Sequence, residues 1–302
     1  MKKIAVFFRI PGAMGYPFSK PDYWTSYSEL SQEVANHGGQ LYFTREQHTY
    51  LGNGSFSQSW IIENNSLVET GPITVEVIYD KGRFEPDNTV PILNHAKIKR
   101  ICDDKWLMYQ HFSEYCPTTF FVENEMQIHS ALPKLKTDLL VFKPFSGSEG
   151  TGVTIEKKEF FMSNLDTLQY PGVFSEFIDT SIGVPHIVEG LHDLRLAIFD
   201  GDILYSYFRT PPQGSFLANV SKGGRFEMVD PSNLPKEILT IARKIDSEFS
   251  ECGHRFYSID FGYTVDGPKI IEMNSELGLL PNKDHPIFKT LKTKLAQVFM
   301  DM

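Results

Sequence analysis

The sequence predicts an α/β (α+β) protein with an N-terminal open α/β domain over residues 1–96. A central subdomain over 97–180 and a C-terminal subdomain over 181–302 are expected to follow. Three observations lead there. The chain opens strand, helix, strand; an apolar strand in its middle ends in a lysine and runs into a glycine-rich loop. Near the end, two strands joined by a short turn carry carboxylates and an amide at alternate positions.

Ile4 to Phe8 is a short apolar run of the kind that fills a buried parallel strand. A Pro/Gly-rich loop over 11–17 precedes a helical pattern from Tyr27 to Asn36, stopped by Gly38-Gly39. Gln40 to Thr44 reads as the next strand, and further strand-like runs begin at Ser59 and Thr74. From Asn94 a second region starts. Asp103-Asp104 stands at an N-cap position before the helical spacing that begins at Lys105. Pro117–Val122 leads into a strand, 125–136 is helical and Asp138–Lys143 is a buried strand. Strand, loop, strand, hairpin, helix and hairpin complete this region, and a terminal helix runs from Pro286 to Met302.

Hydrophobic residues make up 41% of the 302 and charged residues 22%, as in ordinary globular chains. A net charge of −9 lacks the basic face that a nucleic acid partner requires. The three cysteines fit neither a zinc spacing nor a disulfide framework and read as buried apolar residues. No run approaches the roughly 18 apolar residues of a membrane span, and the apolar start is too short for a signal peptide. A cytoplasmic protein without membrane partners is expected.

Four constellations carry chemistry. In the first, Lys143 precedes Ser146, Gly147, Ser148, Gly150 and Gly152, and the chain then returns to a strand. Glycines let successive N–H groups face one anion while the lysine supplies a point charge. A Walker loop has the opposite order, with the lysine after the glycines. A hairpin loop with an incidental lysine has the same local sequence.

The second constellation is the strand pair Tyr257–Tyr263 and Lys269–Asn274. A three-residue loop, Val265-Asp266-Gly267, would set Asp260 opposite Glu272 with Asn274 on the same face. Two carboxylates and an amide oxygen suit Mg²⁺. The apolar neighbours Ile259, Phe261, Ile270 and Ile271 argue against a plain solvent face, because burying carboxylates without a cation is costly.

The remaining two lie between these. Arg195 and Arg209 sit on a hairpin whose loop length decides whether they share a face, and the sequence leaves that open. Such cations suit charge on a transferring phosphoryl group; for Arg195 the alternative is an ion pair with Asp193, two residues away. Asn219 and Lys222, with Gly223-Gly224, suit a loop that closes over phosphates and substrate, and an ordinary surface loop has the same composition.

Taken in order, these pieces resemble the ATP-grasp superfamily over about residues 97–281. The likeness is strongest to its glutathione-synthetase-like and ribosomal-protein-glutamate-ligase-like branches. It is carried by the Lys105 helix start, the Lys143 strand and Gly-rich lid, and Val173–Ile178. Asp193-Leu-Arg195, Arg209, Asn219 with Gly223-Gly224, and Asp260 with Glu272-Met-Asn274 complete it.

The resemblance implies ATP and Mg²⁺ as cofactors, two ions with Mn²⁺ as a substitute. It implies that Lys105 and Lys143 contact phosphates, and that Glu176, Phe177 and Ile178 hold adenine with Asp179 near the ribose. Residues 146–152 would cover the phosphates, and Asn219 would also face the nucleotide. Asp260, Glu272 and Asn274 would hold metal, with Arg209, Arg195 and Lys222 as the catalytic cations. Leu217 stands where the glutathione-synthetase branch has a substrate-binding arginine, and the run Ser275-Glu276-Leu277-Gly278 lacks the proline common in relatives, so glutathione is not the expected product.

The implied reaction joins a small-molecule or peptide carboxylate to an amine through an acyl phosphate. A kinase on the same scaffold and a non-catalytic nucleotide-binding protein are the alternatives. Self-association into a homo-oligomer is a further expectation from the resemblance.

Overall fold

The first apolar run forms β1 (Lys2–Phe8), buried from Ile4 onward. After the loop comes α1 (Pro21–Asn36), six residues longer at its start than the apolar pattern indicates. Pro21 at the first helical position, with φ preset, and Asp22 in the first turn extend it backward. Its inner stripe is Ser26, Tyr27, Leu30 and Val34, and Gly38 at φ 85° ends the helical path.

Next come β2 (Gly39–Arg45), β3 (Tyr50–Gly52), β4 (Ser55–Phe56), β5 (Trp60–Glu63) and β6 (Ser66–Glu69). β7 (Ile73–Thr74), β8 (Val77–Asp80) and β9 (Ile92–Leu93) complete the set. The run from Thr74 to Tyr79, expected as one strand, is divided between β7 and β8. They belong to different sheets, one ordered β3-β4-β7 and the other β6-β5-β2-β1-β8-β9. In the larger sheet β1 is parallel to β2 and β8, which makes the open α/β arrangement, and β5–β6 form an antiparallel edge.

This computed structural model describes residues 1–12, 14–145, 150–218 and 223–302. The chain falls into two units. One comprises Met1–His95, Cys252–Phe256 and Glu276–Met302, and the other Ala96–Glu251 and Tyr257–Ser275.

The second unit begins with α2 (Ala96–Asp103) and α3 (Lys105–Phe112). The Asp104 side chain accepts hydrogen bonds from the N–H groups of Trp106 and Leu107, so the cap sits where the sequence put it. β10 (Thr119–Val122), α4 (Glu125–Ala131), β11 (Leu139–Pro144), β12 (Thr154–Lys157), α5 (Phe160–Ser163) and β13 (Gly172–Glu176) follow. Their strands form an antiparallel sheet ordered β10-β13-β11-β12, with Phe142, Phe161 and Phe174 in a shared core.

A second, five-stranded sheet uses β14 (Asp193–Phe199), β15 (Asp202–Thr210), β16 (Arg225–Val229), β17 (Phe256–Thr264) and β18 (Gly267–Asn274). Helix α6 (Lys236–Ser247) falls between β16 and β17. The strand order is β16-β15-β14-β17-β18.

The terminal helix α7 (Ile287–Asp301) belongs to the first unit, whereas the sequence had grouped it with residues 181–302. Its buried face, including Phe288, Leu291, Leu295 and Phe299, explains the grouping. The buried Lys292 ammonium fixes the preceding loop through Asn282 Oδ1 at 3.0 Å and pairs with Glu29 at 3.2 Å.

Candidate active site

Two hairpins build the charged floor of the site, and each reaches its register in the same way. Between β17 and β18 the loop has two residues, Val265 and Asp266, because Thr264 pairs with Gly267. The expected three-residue loop is therefore corrected. A bulge between Asp260 and Phe261 nevertheless restores the register, with Asp260 opposite Glu272 and Ser258 opposite Asn274. Gly267 holds φ 95°, as its turn position requires.

Between β14 and β15 the loop is Asp200-Gly201, both at positive φ, which suits a tight two-residue turn. A bulge at Ala197/Ile198 then pairs Asp193 with Arg209 and Arg195 with Tyr207. Arg195 and Arg209 share a face, the question that loop length alone left open.

On that face lies an ion-pair network. Arg195 grips Asp260 through two bonds, Nε–Oδ1 at 2.7 Å and Nη2–Oδ2 at 2.6 Å. Arg209 grips Asp193 at 2.6 and 2.8 Å and adds a bond to Asp260 Oδ2 at 2.6 Å. The alternative Arg195–Asp193 pair is thus replaced. Adjacency of β14 and β17 offers Arg195 a carboxylate, while cross-strand pairing gives Asp193 to Arg209. Asp260 is 1% exposed. Burial alone would raise its pKa, but the two guanidinium groups hold it below the usual carboxylate range. At Asp193 burial wins, aided by the charge of Asp260, and the pKa moves up despite Arg209.

Opposite this floor stands Lys143 on β11. Its ammonium donates to the Ile271 carbonyl at 3.1 Å, at the one residue of β18 that the bulge leaves without a partner across the ladder. Burial pushes the Lys143 pKa down and the Glu272 carboxylate opposes that shift. A single cavity of the second unit is lined by Lys105, Lys143, Gly150, Glu176, Phe177, Ile178, Arg209, Asp260 and Glu272. Arg195 joins them through Asp260. Phe177 meets Phe216 edge to face, with ring centroids 5.1 Å apart. The Glu176 carboxylate accepts from the Lys136 N–H at 2.7 Å, which ties the end of β13 to the turn before β11.

Not every expected residue lines that cavity. Gly152 and Asp179 do not; Asp179 is exposed and caps the Ser181 N–H at 2.9 Å. Asn274 lies two cross-strand pairs beyond Glu272, on the same face. Ser146, Gly147, Ser148, Asn219 and Lys222 lie outside the described residues. Ser258 was missed by the sequence reading, although the two-residue period counted back from Asp260 points to it.

The donor set fits a hard cation that keeps other oxygen ligands from substrate or water. Among the described residues no group of three or more His, Cys, Asp or Glu is arranged for a metal. Among the described residues Asn274 Nδ2 is buried without a hydrogen-bond partner, and so is Ser258 Oγ across the ladder. Buried polar atoms are nearly always satisfied, so this pair marks a place where an oxygen acceptor, from water or substrate, belongs. No described residue donates a hydrogen bond to Glu272, whereas Asp260 already spends most of its acceptor capacity on arginine.

With this geometry in hand, the family follows from comparison. The prokaryotic glutathione synthetase ATP-grasp domain matches residues 105–276, more than half of the chain. The chain belongs to this ATP-grasp family. A probable alpha-L-glutamate ligase of Pasteurella multocida is 28% identical over 205 residues, covering 65% of this chain and 60% of that one. One from Shewanella pealeana is 28% identical over 167 residues, covering 54% of this chain and 33% of that protein. The chain spans between a third and three-fifths of the length of these relatives.

Solved ATP-grasp structures share the fold over nearly the whole chain. The VanG D-Ala:D-Ser ligase of Enterococcus faecalis has a TM-score of 0.67 at 14% identity, covering 99% of both chains. The macrocyclase MdnC of Microcystis aeruginosa, bound with precursor peptide MdnA, has a TM-score of 0.63 at 14% identity, covering 99% of this chain and 100% of its own. Among the described residues no helix is long and apolar enough to cross a membrane.

Proposed function

We propose that this chain is an ATP-dependent carboxylate–amine ligase that works through an acyl phosphate. The observation that carries the reading is the Asp260–Glu272 cross-strand pair in the same cavity as Lys105 and Lys143. It combines an oxygen donor set for Mg²⁺ with cations for phosphate. Membership of the ATP-grasp family supports it.

In this reading Lys105 and Lys143 bind the ATP phosphates, and the segment from Glu176 to Ile178 takes adenine beside Phe177. Asp260, Glu272 and Asn274 would hold Mg²⁺, which supplies neutralisation of charge on the phosphoryl group in transit. The γ-phosphoryl passes to a carboxylate oxygen as its bond to ADP breaks. An amine then attacks the acyl carbon, loses a proton, and phosphate leaves with its bonding electrons. Positioning and charge suffice for both steps, and no side-chain nucleophile is needed. Arg209 lines the cavity and, held by Asp193 and Asp260, presents a fixed positive charge there. Arg195 holds Asp260 in place. The substrates are a small-molecule or peptide carboxylate and an amine.

The test is ADP release from MgATP with pooled carboxylic and amino acids, with and without hydroxylamine as a trap. Acid-dependent ADP release with hydroxamate formation is expected. Turnover that yields a stable phosphorylated alcohol and no hydroxamate would replace this reading with a kinase.

A further inference from the structure

β13 ends at Glu176, but the cavity wall it begins continues through Phe177, Ile178 and Thr180. The Phe177 N–H still reaches the Leu139 carbonyl, at 3.2 Å. At Thr180 the chain turns, and the Thr180 carbonyl accepts from the Gly183 N–H at 3.0 Å. A side chain ties this stretch to the rest of the site. The Thr180 hydroxyl accepts from the His192 N–H and donates to the His192 carbonyl, each at 2.9 Å. In an antiparallel sheet a residue exchanges both backbone bonds with the residue opposite. Here one hydroxyl takes the part of that partner. Thr180 is 3% exposed and His192 4%, so removing the hydroxyl would take the partner from two buried backbone groups.

The anchor is itself well held. His192 directly precedes β14, so its neighbour in the chain is Asp193, the carboxylate that grips Arg209. Its Nδ1–H donates to the Gly190 carbonyl at 3.0 Å, and its Nε2 accepts from the Tyr263 N–H of β17 at 3.4 Å. Burial lowers the imidazole pKa, in keeping with a neutral ring that has one donor and one acceptor. The ring also meets Phe208 of β15 edge to face, with centroids 5.6 Å apart. Thr180 therefore bonds to a residue fixed against β14, β15 and β17 together. Its methyl is keyed to the same floor, since a Cβ on Gly262 would lie 2.7 Å from Thr180 Cγ2. Hydroxyl and methyl share one β-branched carbon with a restricted χ1, so the two contacts set each other.

We infer that Thr180 is a positioning residue for the nucleotide: its hydroxyl holds the segment Glu176–Ile178 at a fixed distance from the floor that carries Asp193, Arg195 and Asp260. The inference rests on the reading of that segment as the wall that takes adenine. A nucleotide is held at both ends at once, its base by one element and its phosphates by others. Binding and in-line alignment both need the correct spacing, and a shift of about 1 Å far from the reacting atoms can cost about 100-fold. A ligand with phosphates and no base is indifferent to that spacing. A general loss of stability makes no such distinction.

Calorimetric titration of the full chain and its variants with MgATP, and separately with magnesium tripolyphosphate, tests it. Thr180→Val keeps the shape of the side chain and removes the hydroxyl. It is expected to bind MgATP about tenfold more weakly, with tripolyphosphate affinity within about twofold of the parent. Thr180→Ala removes the hydroxyl without demanding space and should give the same split, which keeps the test intact if the valine variant does not fold. Thr180→Ser keeps the hydroxyl and should stay within about twofold of the parent for both ligands. Undiminished MgATP binding in the valine and alanine variants would overturn the inference and leave the nucleotide reading standing. Equal weakening of both ligands, or a serine variant as weak as the valine one, would do the same. Failure of the parent chain to bind MgATP would end the nucleotide reading itself, and this inference with it.

Discussion

The β14–β15 and β17–β18 hairpins are built alike and left in opposite states. Each has a two-residue loop and one bulge that together give the register of a longer loop. On the first, charge is closed on itself: Arg195, Arg209 and Asp193 all find partners within hydrogen-bond distance. On the second, the Glu272 carboxylate receives no hydrogen bond from a described residue, and among those residues Asn274 Nδ2 and Ser258 Oγ find no partner. Asp260 is the one group shared by both. The first hairpin thus acts as a clamp that orients Asp260, and the second as the receptive surface. Unsatisfied polarity, rather than charge density, separates site from scaffold here.

The largest effect is expected at the shared residue. Asp260→Asn leaves two buried guanidinium groups short of a carboxylate, and breaking such a pair costs about 3–5 kcal/mol. Urea denaturation should show that loss, together with loss of MgATP turnover. A change under about 1 kcal/mol would mean that the clamp contributes little, as exposed ion pairs do. The pH dependence carries the same signature. The Asp260 pKa is lowered in the folded state, so its contribution is fully present above the unfolded value, roughly 3.9. It is lost as pH falls through the lower folded value, and Asp260→Asn should flatten that part of the acid limb.

Glu272→Gln should behave oppositely. With no ion pair to break, its midpoint should stay within about 0.5 kcal/mol of the parent, as at sites away from packed features. MgATP turnover should drop by about 100-fold or more, the order seen when an electrostatic contact to a reacting group is removed. Full activity would end the metal assignment. A large stability loss would instead place Glu272 in the clamp.

Gly262, on β17 two residues beyond Asp260, tests whether the hairpin also sets the adenine segment. A Cβ there would lie 2.6 Å from Ile178 Cγ2 and 2.7 Å from Thr180 Cγ2. Both methyls sit on β-branched carbons and cannot swing away cheaply. Gly262→Ala should therefore cost about 1–3 kcal/mol and weaken nucleotide binding measured by fluorescent-ATP displacement. Normal binding with lost stability would show that the segment repacks without consequence for the base.

Much of this was legible in the sequence because it depends on local rules. Apolar runs gave β1, β2 and β11, Asp104 capped its helix, and period two put Asp260 and Glu272 on one face. The loop lengths were not legible, because a bulge and an added loop residue produce the same register. The Asp260–Glu272 pairing was therefore reached through a loop that does not exist. The exchange of partners between Arg195 and Arg209 was hidden for another reason. It depends on β14 lying beside β17, an adjacency between strands separated by β15, β16 and α6.

The smallest effect expected is also the most discriminating between the two hairpins. Ser258 is fully buried, and its hydroxyl finds no partner among the described residues. Burying such a group without a hydrogen bond costs about 1–3 kcal/mol on protein-derived scales. Ser258→Ala removes the unpaired group and little volume, so stability without nucleotide should be unchanged or higher by up to about 1 kcal/mol. If Ser258 serves the cation-binding face, the same variant should weaken the stabilisation that MgATP confers, read as a smaller shift in thermal midpoint with ligand. A variant that gains stability and keeps the full ligand shift would make Ser258 a packing defect and confine the receptive surface to Asp260, Glu272 and Asn274. A variant that loses stability would show that the hydroxyl has a partner in the folded protein, and the contrast between closed and open hairpins would then rest on Glu272 and Asn274 alone.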